Sequence, residues 1–396
     1  MAMRFRLALA FVSVALAACN STPPQHAAAT TAQPSPVRML PNCSGQITAI
    51  YAIHVNGVNG GVSGDSIFCV SASSTTDFNT RLLEWPVQGR QLLAADARSV
   101  VQLDGGNVVG SSLIRVFDPA SEGSRALGTL SEFGISDPGP VAAVMSPDGT
   151  ELALGGAHKL LVVELGSTAV RTLASDPSRW LTPIRWTSAG IITRKVGFEG
   201  MGDFGLLNID PTTGTVSVVN QGPNNQIVMS QDGRFLVTTT NVDLGDGPTV
   251  RYPWQNAIDL TGPDGHMTRL AMQKDHWFTP LDVTNDGKVL FSSDMQTGPV
   301  APDMGLYLAV AGQAKLQLPS TFSGQWVLAR FANASNALVA HLVGGTGSAH
   351  TGLGFQVVQM CPATEAGCQV QWSGDSVYDG AWPTLITSMV MLPAAA

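Results

Sequence analysis

Charged residues are scarce in this sequence, and basic residues are the scarcer kind. Only 13% of the 396 residues are charged, with 21 Lys and Arg against 29 Asp and Glu. No run of basic residues is present that could follow a phosphate backbone, and nucleic-acid binding depends on such a surface. The composition therefore argues against a nucleic-acid partner and against electrostatic adhesion to anionic lipid.

Long apolar runs and paired cysteine motifs are also missing. After the first 18 residues, no stretch approaches the roughly 20 apolar residues that a membrane-spanning helix needs. The five cysteines include no Cys-x-x-Cys pair, and no histidine stands near enough to complete a recognisable zinc site. No Gly-x-Ser-x-Gly motif and no cofactor fingerprint occurs. The sequence therefore predicts no catalytic residue, no metal and no cofactor.

The one apolar run that does occur lies at the start of the chain. Arg4 and Arg6 precede a run from Leu7 to Ala18, the layout of a signal peptide, which we predict over residues 1–18. The run ends in Leu16-Ala17-Ala18-Cys19, which resembles the lipobox of bacterial lipoproteins. The resemblance implies cleavage before Cys19 and acylation of its thiol, with palmitate among the acyl chains. The alternative is an ordinary secreted protein with a chance cysteine after its signal.

The expected location follows from this anchor. Two or more acyl chains hold a protein stably at a membrane, so we expect an extracytoplasmic lipoprotein attached through Cys19. By resemblance to Gram-negative lipoproteins, Asn20 favours the outer membrane. Residues 19–41 contain mainly Ser, Thr, Pro, Gln and Ala, a composition that predicts a disordered tether. Residues 42–396 are predicted to form one domain.

Four cysteines remain after Cys19, in a compartment that permits disulfides. Cys361 and Cys368 flank the turn-like segment Pro-Ala-Thr-Glu-Ala-Gly, so they could cross-link the two arms of one hairpin. This leaves Cys43 to pair with Cys69.

A repeated hairpin pattern predicts the fold. Two apolar runs joined by Asp-Gly indicate a tight hairpin turn, and this pattern occurs at Asp148-Gly149, Asp232-Gly233 and Asp286-Gly287. Looser copies have their turns at Gly105, Gly190 and Asn336, which places successive turns 41 to 54 residues apart. Two further strands follow each hairpin, and four antiparallel strands per period are typical of a propeller blade.

The unit Ser146-Pro147-Asp148-Gly149 resembles the repeat of TolB-like propellers, which are relatives of the Trp-Asp-repeat propellers. The resemblance implies an all-β propeller and concerns fold rather than activity. The segment beginning at Trp382 is expected to supply the first strand of a composite blade. Its other strands are predicted at Ile47–Ile53, Ser66–Ser71 and Arg81–Val87. Seven four-stranded blades result, with six or eight left open.

Most chemistry-bearing residues have a structural interpretation. The recurring Asp148, Asp232 and Asp286 are explained by the turns that they occupy. His341 and His350 bracket a Gly-rich connection without an obvious third ligand, so they do not by themselves predict a metal site. Four tryptophans recur at one position before a first strand, which favours packing between blades; these are Trp180, Trp277, Trp326 and Trp382.

The candidate binding residues are Arg251, Tyr252 and Trp254. They lie in an insertion that lengthens one repeat, and inserted loops on one face are where repeat proteins usually bind. We therefore expect a cell-envelope lipoprotein whose propeller is a non-catalytic binding or scaffold module for a protein or a cell-wall ligand. The alternative is a lactonase-like or sugar-active propeller enzyme using carboxylates or a metal in the central funnel. A quinoprotein-like redox propeller is the third and least supported hypothesis.

Overall fold

The structure is a computed structural model that describes the chain from residue 46 onwards with gaps. The described residues are 46–55, 64–72, 78–84, 91–96, 99–104, 112–118, 123–135, 141–156, 158–197, 203–220, 226–242, 256–274, 276–295, 305–318, 327–331, 336–342, 356–362, 369–373 and 385–391. Before residue 91 and after residue 331, only the backbone of these residues is described. The predicted signal peptide and tether, with Cys19, lie outside the described residues.

The described part of the chain is all-β and forms seven four-stranded antiparallel sheets. Sheet 1 consists of β28 (Leu385–Met391), β1 (Gln46–Val55), β2 (Gly64–Ala72) and β3 (Phe78–Glu84). Sheet 2 consists of β4 (Gln91–Ala95), β5 (Val100–Asp104), β6 (Leu113–Asp118) and β7 (Gly123–Thr129). Sheet 3 consists of β8 (Ala142–Met145), β9 (Glu151–Gly156), β10 (Lys159–Glu164) and β11 (Val170–Ser175). Sheet 4 consists of β12 (Arg179–Thr187), β13 (Gly190–Gly197), β14 (Asp203–Ile209) and β15 (Val216–Asn220).

The remaining three sheets follow in the same order along the chain. Sheet 5 consists of β16 (Ile227–Met229), β17 (Leu236–Thr240), β18 (Ala257–Thr261) and β19 (Met267–Met272). Sheet 6 consists of β20 (His276–Val283), β21 (Val289–Met295), β22 (Gly305–Ala309) and β23 (Leu316–Gln317). Sheet 7 consists of β24 (Val327–Phe331), β25 (Asn336–Leu342), β26 (Gln356–Pro362) and β27 (Gln369–Ser373). No helix among the described residues is long and apolar enough to cross a membrane.

Sheet 1 joins the two ends of the described chain. β28 pairs antiparallel with β1, with Met391 opposite Ala49 and Leu385 opposite His54. The composite sheet predicted from the sequence is therefore confirmed. Its third strand from the amino-terminal part, β3, runs from Phe78 to Glu84, so the predicted range Arg81–Val87 lay three residues too far along the chain.

The sheets pack face to face in chain order, because inner strands are apolar on both faces. All five residues of β22 are buried, as expected for a strand covered on both sides. Each consecutive pair from sheet 2 to sheet 7 shares a buried apolar cluster. The first strands of neighbouring sheets also touch: β4 contacts β8, β8 contacts β12, β20 contacts β24, and β28 contacts both β24 and β4. The first strands therefore lie together on the inner side of the packed sheets.

The core between sheets 5 and 6 contains an aromatic stack. Phe291 packs edge-on against Phe278, with ring centroids 5.6 Å apart, and parallel to Tyr307, at 5.4 Å. Lys315 closes the stack with its Nζ 4.6 Å from the centroid of the Tyr307 ring. Phe278 and Phe291 are fully buried, so large rings fill this interface without a polar group to satisfy.

The recurring aspartates form the hairpin turns, as the sequence predicts. Ser146 Oγ donates to Asp148 Oδ1 at 2.6 Å, and Ser230 Oγ donates to Asp232 Oδ1 at 2.7 Å. Thr284 makes the same bond to Asp286. Each aspartate therefore accepts a hydrogen bond from the hydroxyl two residues before it, which closes the turn between a first and a second strand.

Neighbouring turns also contact one another, so they share one end of the packed sheets, here named the turn end. Gly149 has a φ of 71°, and a Cβ there would lie 2.1 Å from Asp96 Oδ2 in sheet 2. Only glycine combines the positive φ of Gly149 with so close an approach. In another pair of turns, Asn285 Oδ1 accepts the backbone N–H of Asp232 at 3.0 Å.

The register predicted for the first repeat is wrong. Asp104 ends β5, so Asp104-Gly105 follows the second strand of sheet 2 and not the first. The first turn instead lies between β4 and β5, where the backbone N–H of Ser99 donates to Asp96 Oδ1 at 2.7 Å. The Asp-Gly pair misled the prediction because this turn uses Asp96 and Ser99 without an adjacent glycine.

Candidate functional site

The candidate site is a group of charged side chains on the first strands, near the turn end. In each sheet from 2 to 7, one first-strand residue near the turn occupies an equivalent position, in the second residue pair from the turn or, in sheet 4, in the third. The pairs are Ala94 with Val101, Val144 with Ala153, Arg185 with Ile192, Val228 with Val237, Asp282 with Leu290 and Arg330 with Leu338. Three sheets carry an apolar residue at this position, and sheets 4, 6 and 7 carry a charge.

The first strands of sheets 6 and 7 are joined by hydrogen bonds of Arg330 and Asp282. Arg330 Nη1 donates to the backbone carbonyls of Leu281 and Ala329, the latter at 3.0 Å. In return, Asp282 Oδ2 accepts the backbone N–H of Phe331 at 2.8 Å. The two charged side chains therefore satisfy backbone groups of first strands, which have no further strand beside them.

Arg185 faces the same two residues from sheet 4. Its guanidinium is within electrostatic range of Asp282, Arg330 and the turn residue Asp232. Its Nε atom is buried and has no hydrogen-bond partner. Unlike Arg330 and Asp282, Arg185 therefore makes no hydrogen bond through its Nε atom to a neighbouring strand.

Burial dominates the electrostatics of the group. Desolvation lowers the pKa of Arg185, while Asp282 opposes that effect and Arg330 adds to it. Burial also raises the pKa of Asp282, against the opposing influence of Arg330 and of the Phe331 amide. Because guanidinium groups stay protonated in proteins, two positive charges here face one carboxylate that is itself costly to ionise.

Asp259, on β18, shows how a carboxylate outside this group is bound to side chains of the two neighbouring strands of its own sheet. Asp259 is fully buried and accepts two hydrogen bonds from Arg269, from Nε at 2.8 Å and Nη2 at 3.0 Å. Thr240 Oγ1 donates to the same carboxylate at 2.8 Å. Among the described residues, no three His, Cys, Asp or Glu side chains converge on a point where a metal ion could bind.

The residues singled out for binding and disulfides fall largely outside the described part of the chain. The structure does not describe the candidate binding residues Arg251, Tyr252 and Trp254, and it does not describe Cys43 or Cys368. Cys69 is in β2 and Cys361 in β26, at positions described by backbone only. The two disulfides stay predictions.

The tryptophan prediction is wrong for one residue. Trp180 and Trp277 do occupy equivalent positions, but each is the second residue of a first strand and does not precede that strand as predicted. Trp180 is partly buried, whereas Trp277 is 42% exposed. Trp277 is therefore no core residue, and shared position in the repeat does not ensure shared burial. Trp326 and Trp382 lie outside the described residues.

Comparison with known proteins identifies the architecture. No family model matches the chain, and no curated protein matches its sequence. An oligogalacturonate lyase in complex with manganese is 12% identical at a TM-score of 0.50, covering 86% of this chain and 89% of the lyase. The β-propeller domain of the Trilobed protease from Pyrococcus furiosus is 11% identical at 0.48, covering 71% and 82%. The fold is a β-propeller. A putative TolB from Agrobacterium tumefaciens is 17% identical at 0.42, covering 66% and 89%.

At these identities the likeness concerns the propeller fold and carries no activity to this chain. The propeller that the Asp-Gly repeat predicts is confirmed. The charged group on the first strands was missed, although part of its signal is visible in the sequence. Arg185 and Asp282 each stand five residues before their turn glycine, where the copies with Gly149 and Gly233 have valine. Arg330 stands six residues before Asn336, so its place beside them follows only from the strand pairing.

Proposed function

We propose that this chain is an extracytoplasmic lipoprotein whose seven-bladed propeller binds a protein or a cell-wall ligand without catalysing a reaction. The blade number is supported by the seven four-stranded sheets of the described residues and by the contacts between the first strands of most neighbouring sheets. The pairing of β28 with β1 supports a closed ring, since strands from both ends of the described chain complete one sheet.

The observation that carries the non-catalytic proposal is the engagement of the carboxylates. A general acid, a general base or a metal ligand needs a lone pair directed at the reacting group. The turn aspartates instead accept hydrogen bonds from their own turns, and Asp282 and Asp259 hold a neighbouring strand. These bonds favour a structural role for carboxylates that the enzyme alternative would use in the funnel.

The proposed binding surface is the connection between β17 and β18, which contains Arg251, Tyr252 and Trp254. This connection joins the second strand of sheet 5 to the third, so it leaves the sheet at the end opposite to the turn end. Residues 296–304 and 343–355 connect the corresponding strands of sheets 6 and 7. Tyrosine, tryptophan and arginine are the residues that most often dominate binding energy at interfaces.

The test is capture by the full-length chain in detergent. Purified cell-wall sacculi are sedimented with the protein, and detergent-solubilised envelopes are cross-linked to it in parallel. Trp254→Ala is expected to reduce the captured amount about tenfold or more, because truncating an anchor residue costs about 2 kcal/mol or more. Trp277→Ala is the matched control, since it removes an exposed tryptophan from a first strand, and it should bind as the wild type does.

Two outcomes would contradict the proposal. Equal capture by the two tryptophan variants would remove the surface from the binding role. Release of soluble sugar products from the sacculi would favour the enzyme alternative. The anchor is tested separately with Cys19→Ala, which should accumulate as unprocessed precursor and take up no palmitate analogue. Continued labelling of that variant would show that Cys19 is not the anchor.

A further inference from the structure

The group of Arg185, Asp282 and Arg330 on the first strands has an unbalanced charge. Asp282 is the carboxylate of the group, and its Oδ2 is bonded to the Phe331 amide. Asp232 lies in the adjacent turn, where Arg234 Nε donates to it at 2.5 Å. Arg185 and Arg330 thus share the single carboxylate of Asp282, and Asp232 is paired with Arg234. The group therefore carries an excess of positive charge.

A half-buried guanidinium with a buried, unpartnered Nε and only a shared carboxylate to compensate it is costly to the fold. Removing a guanidinium from water costs several kcal/mol unless hydrogen bonds and an opposite charge replace the lost hydration. The equivalent residues of sheets 3 and 5, Val144 and Val228, show that this position is compatible with an apolar side chain. The fold itself therefore does not require Arg185.

The available donors indicate the chemistry of an occupant. The planar guanidinium presents its N–H groups in a fork that matches the oxygens of a carboxylate or a phosphate. Arg330, fixed by the carbonyls of Leu281 and Ala329, supplies a second positive charge beside it. The two arginines come from the first strands of sheets 4 and 7, and sheets 5 and 6 lie between them along the chain.

We propose that Arg185, assisted by Arg330, binds an oxyanion group, a carboxylate or a phosphate, between the first strands near the turn end of the propeller. This site is separate from the connection that contains Trp254, which leaves sheet 5 at its opposite end. It accepts an anion because the unpartnered Nε of Arg185 gains an acceptor and the excess positive charge gains a counter-ion. Asp282 accepts the Phe331 N–H and so fixes the backbone next to Arg330. This bond is kept whether or not an anion is bound.

The test is anion binding by the full-length chain, measured by calorimetry and by thermal unfolding at constant ionic strength. The probes are malonate and inorganic phosphate, which distinguish a carboxylate from a phosphate ligand, and neutral malonamide is the control. Saturable binding of one anion per chain is expected, with a rise in Tm of about 5 °C near saturation. Malonamide should leave Tm unchanged.

Three variants make the result specific. Arg185→Met should abolish the response while its Tm without ligand equals or exceeds that of the wild type, since the excess charge is gone. Arg185→Lys keeps the charge without the planar fork and should bind the anion at least about tenfold more weakly. Arg115→Met is the control, because Arg115 pairs with Asp104 at 2.7 Å on the third strand of sheet 2; it should respond as the wild type does.

The proposal is overturned if neither anion binds saturably. It is also overturned if Arg185→Met responds like the wild type, or if that variant fails to fold, since Arg185 would then be a structural residue. Capture of sacculi or envelope partners through Trp254 is a different measurement. Failure of either proposal can therefore be recognised without affecting the other.

Discussion

Replacing Phe291 tests how much stability the packing between sheets 5 and 6 provides. The side chain is fully buried and contacts aromatic rings on both of its neighbouring strands, with centroid distances of 5.6 and 5.4 Å. Truncating a buried phenylalanine to alanine costs about 3–5 kcal/mol. Ring pairs in such arrangements contribute about 0.5–1.5 kcal/mol each beyond the buried area. Phe291→Ala is therefore expected to lower the free energy of unfolding by about 4–5 kcal/mol, near the upper end of that range.

The assay is equilibrium unfolding in urea followed by tryptophan fluorescence, with the slope m compared between variants to confirm that the same surface is exposed. Val218→Ala is the control, because Val218 is 56% exposed on β15 and its loss should change stability by no more than about 0.5 kcal/mol. A double-mutant cycle of Phe291→Leu and Tyr307→Leu should give a coupling of about 0.5–1.5 kcal/mol.

A loss below about 1 kcal/mol for Phe291→Ala, similar to an ordinary surface substitution, would refute the reasoning. It would show that the two sheets are not held together through this stack. A large loss without coupling to Tyr307 would keep the burial argument and reject the contribution of the ring pair.

Two further predictions concern closure and the turns. A chain ending at Ser373 lacks β28 and should aggregate or become protease-sensitive throughout the propeller, because β1 loses its partner; a monomer with unchanged Tm would contradict the composite blade, and removal of residues 393–396 alone is the control. In the turns, the hydrogen bond from Thr284 lowers the pKa of Asp286. The ionised form therefore stabilises the fold above the unfolded value of about 3.9, and this stabilisation is lost as pH falls through the lower folded value. The difference in Tm between wild type and Asp286→Asn should shrink as the solution is acidified from pH 7 to below pH 3, and a difference independent of pH would refute it.

The sequence predicts the turns well because their chemistry is local. Asp232 and Gly233 lie next to each other in the chain, and the hydroxyl of Ser230 that completes the turn is two residues away. The composite sheet could also be predicted, since an unmatched strand at one end of the repeats requires a partner from the other end. The register of sheet 2 could not, because its turn depends on the less distinctive residues Asp96 and Ser99.

Burial and charge at the site depend on distant residues, which explains the errors there. Trp277 occupies the same repeat position as Trp180, yet its exposure is decided by what the adjoining sheet places over it. Arg185 and Arg330 are far apart in the chain and meet only when the first strands of their blades come together. A column of the aligned repeats shows the charge at Arg185, but which neighbours surround it follows only from the packed sheets.

The pairing of β28 with β1 also has a mechanical consequence. Any tension on the segment before Gln46 passes directly into β1, whose two edges are bonded to β28 and to β2. Pulling β1 out along its axis would require both ladders to shear together, which loads many backbone hydrogen bonds at once. A chain held at a surface by its amino-terminal end would therefore pull on the same sheet that fastens the last strand.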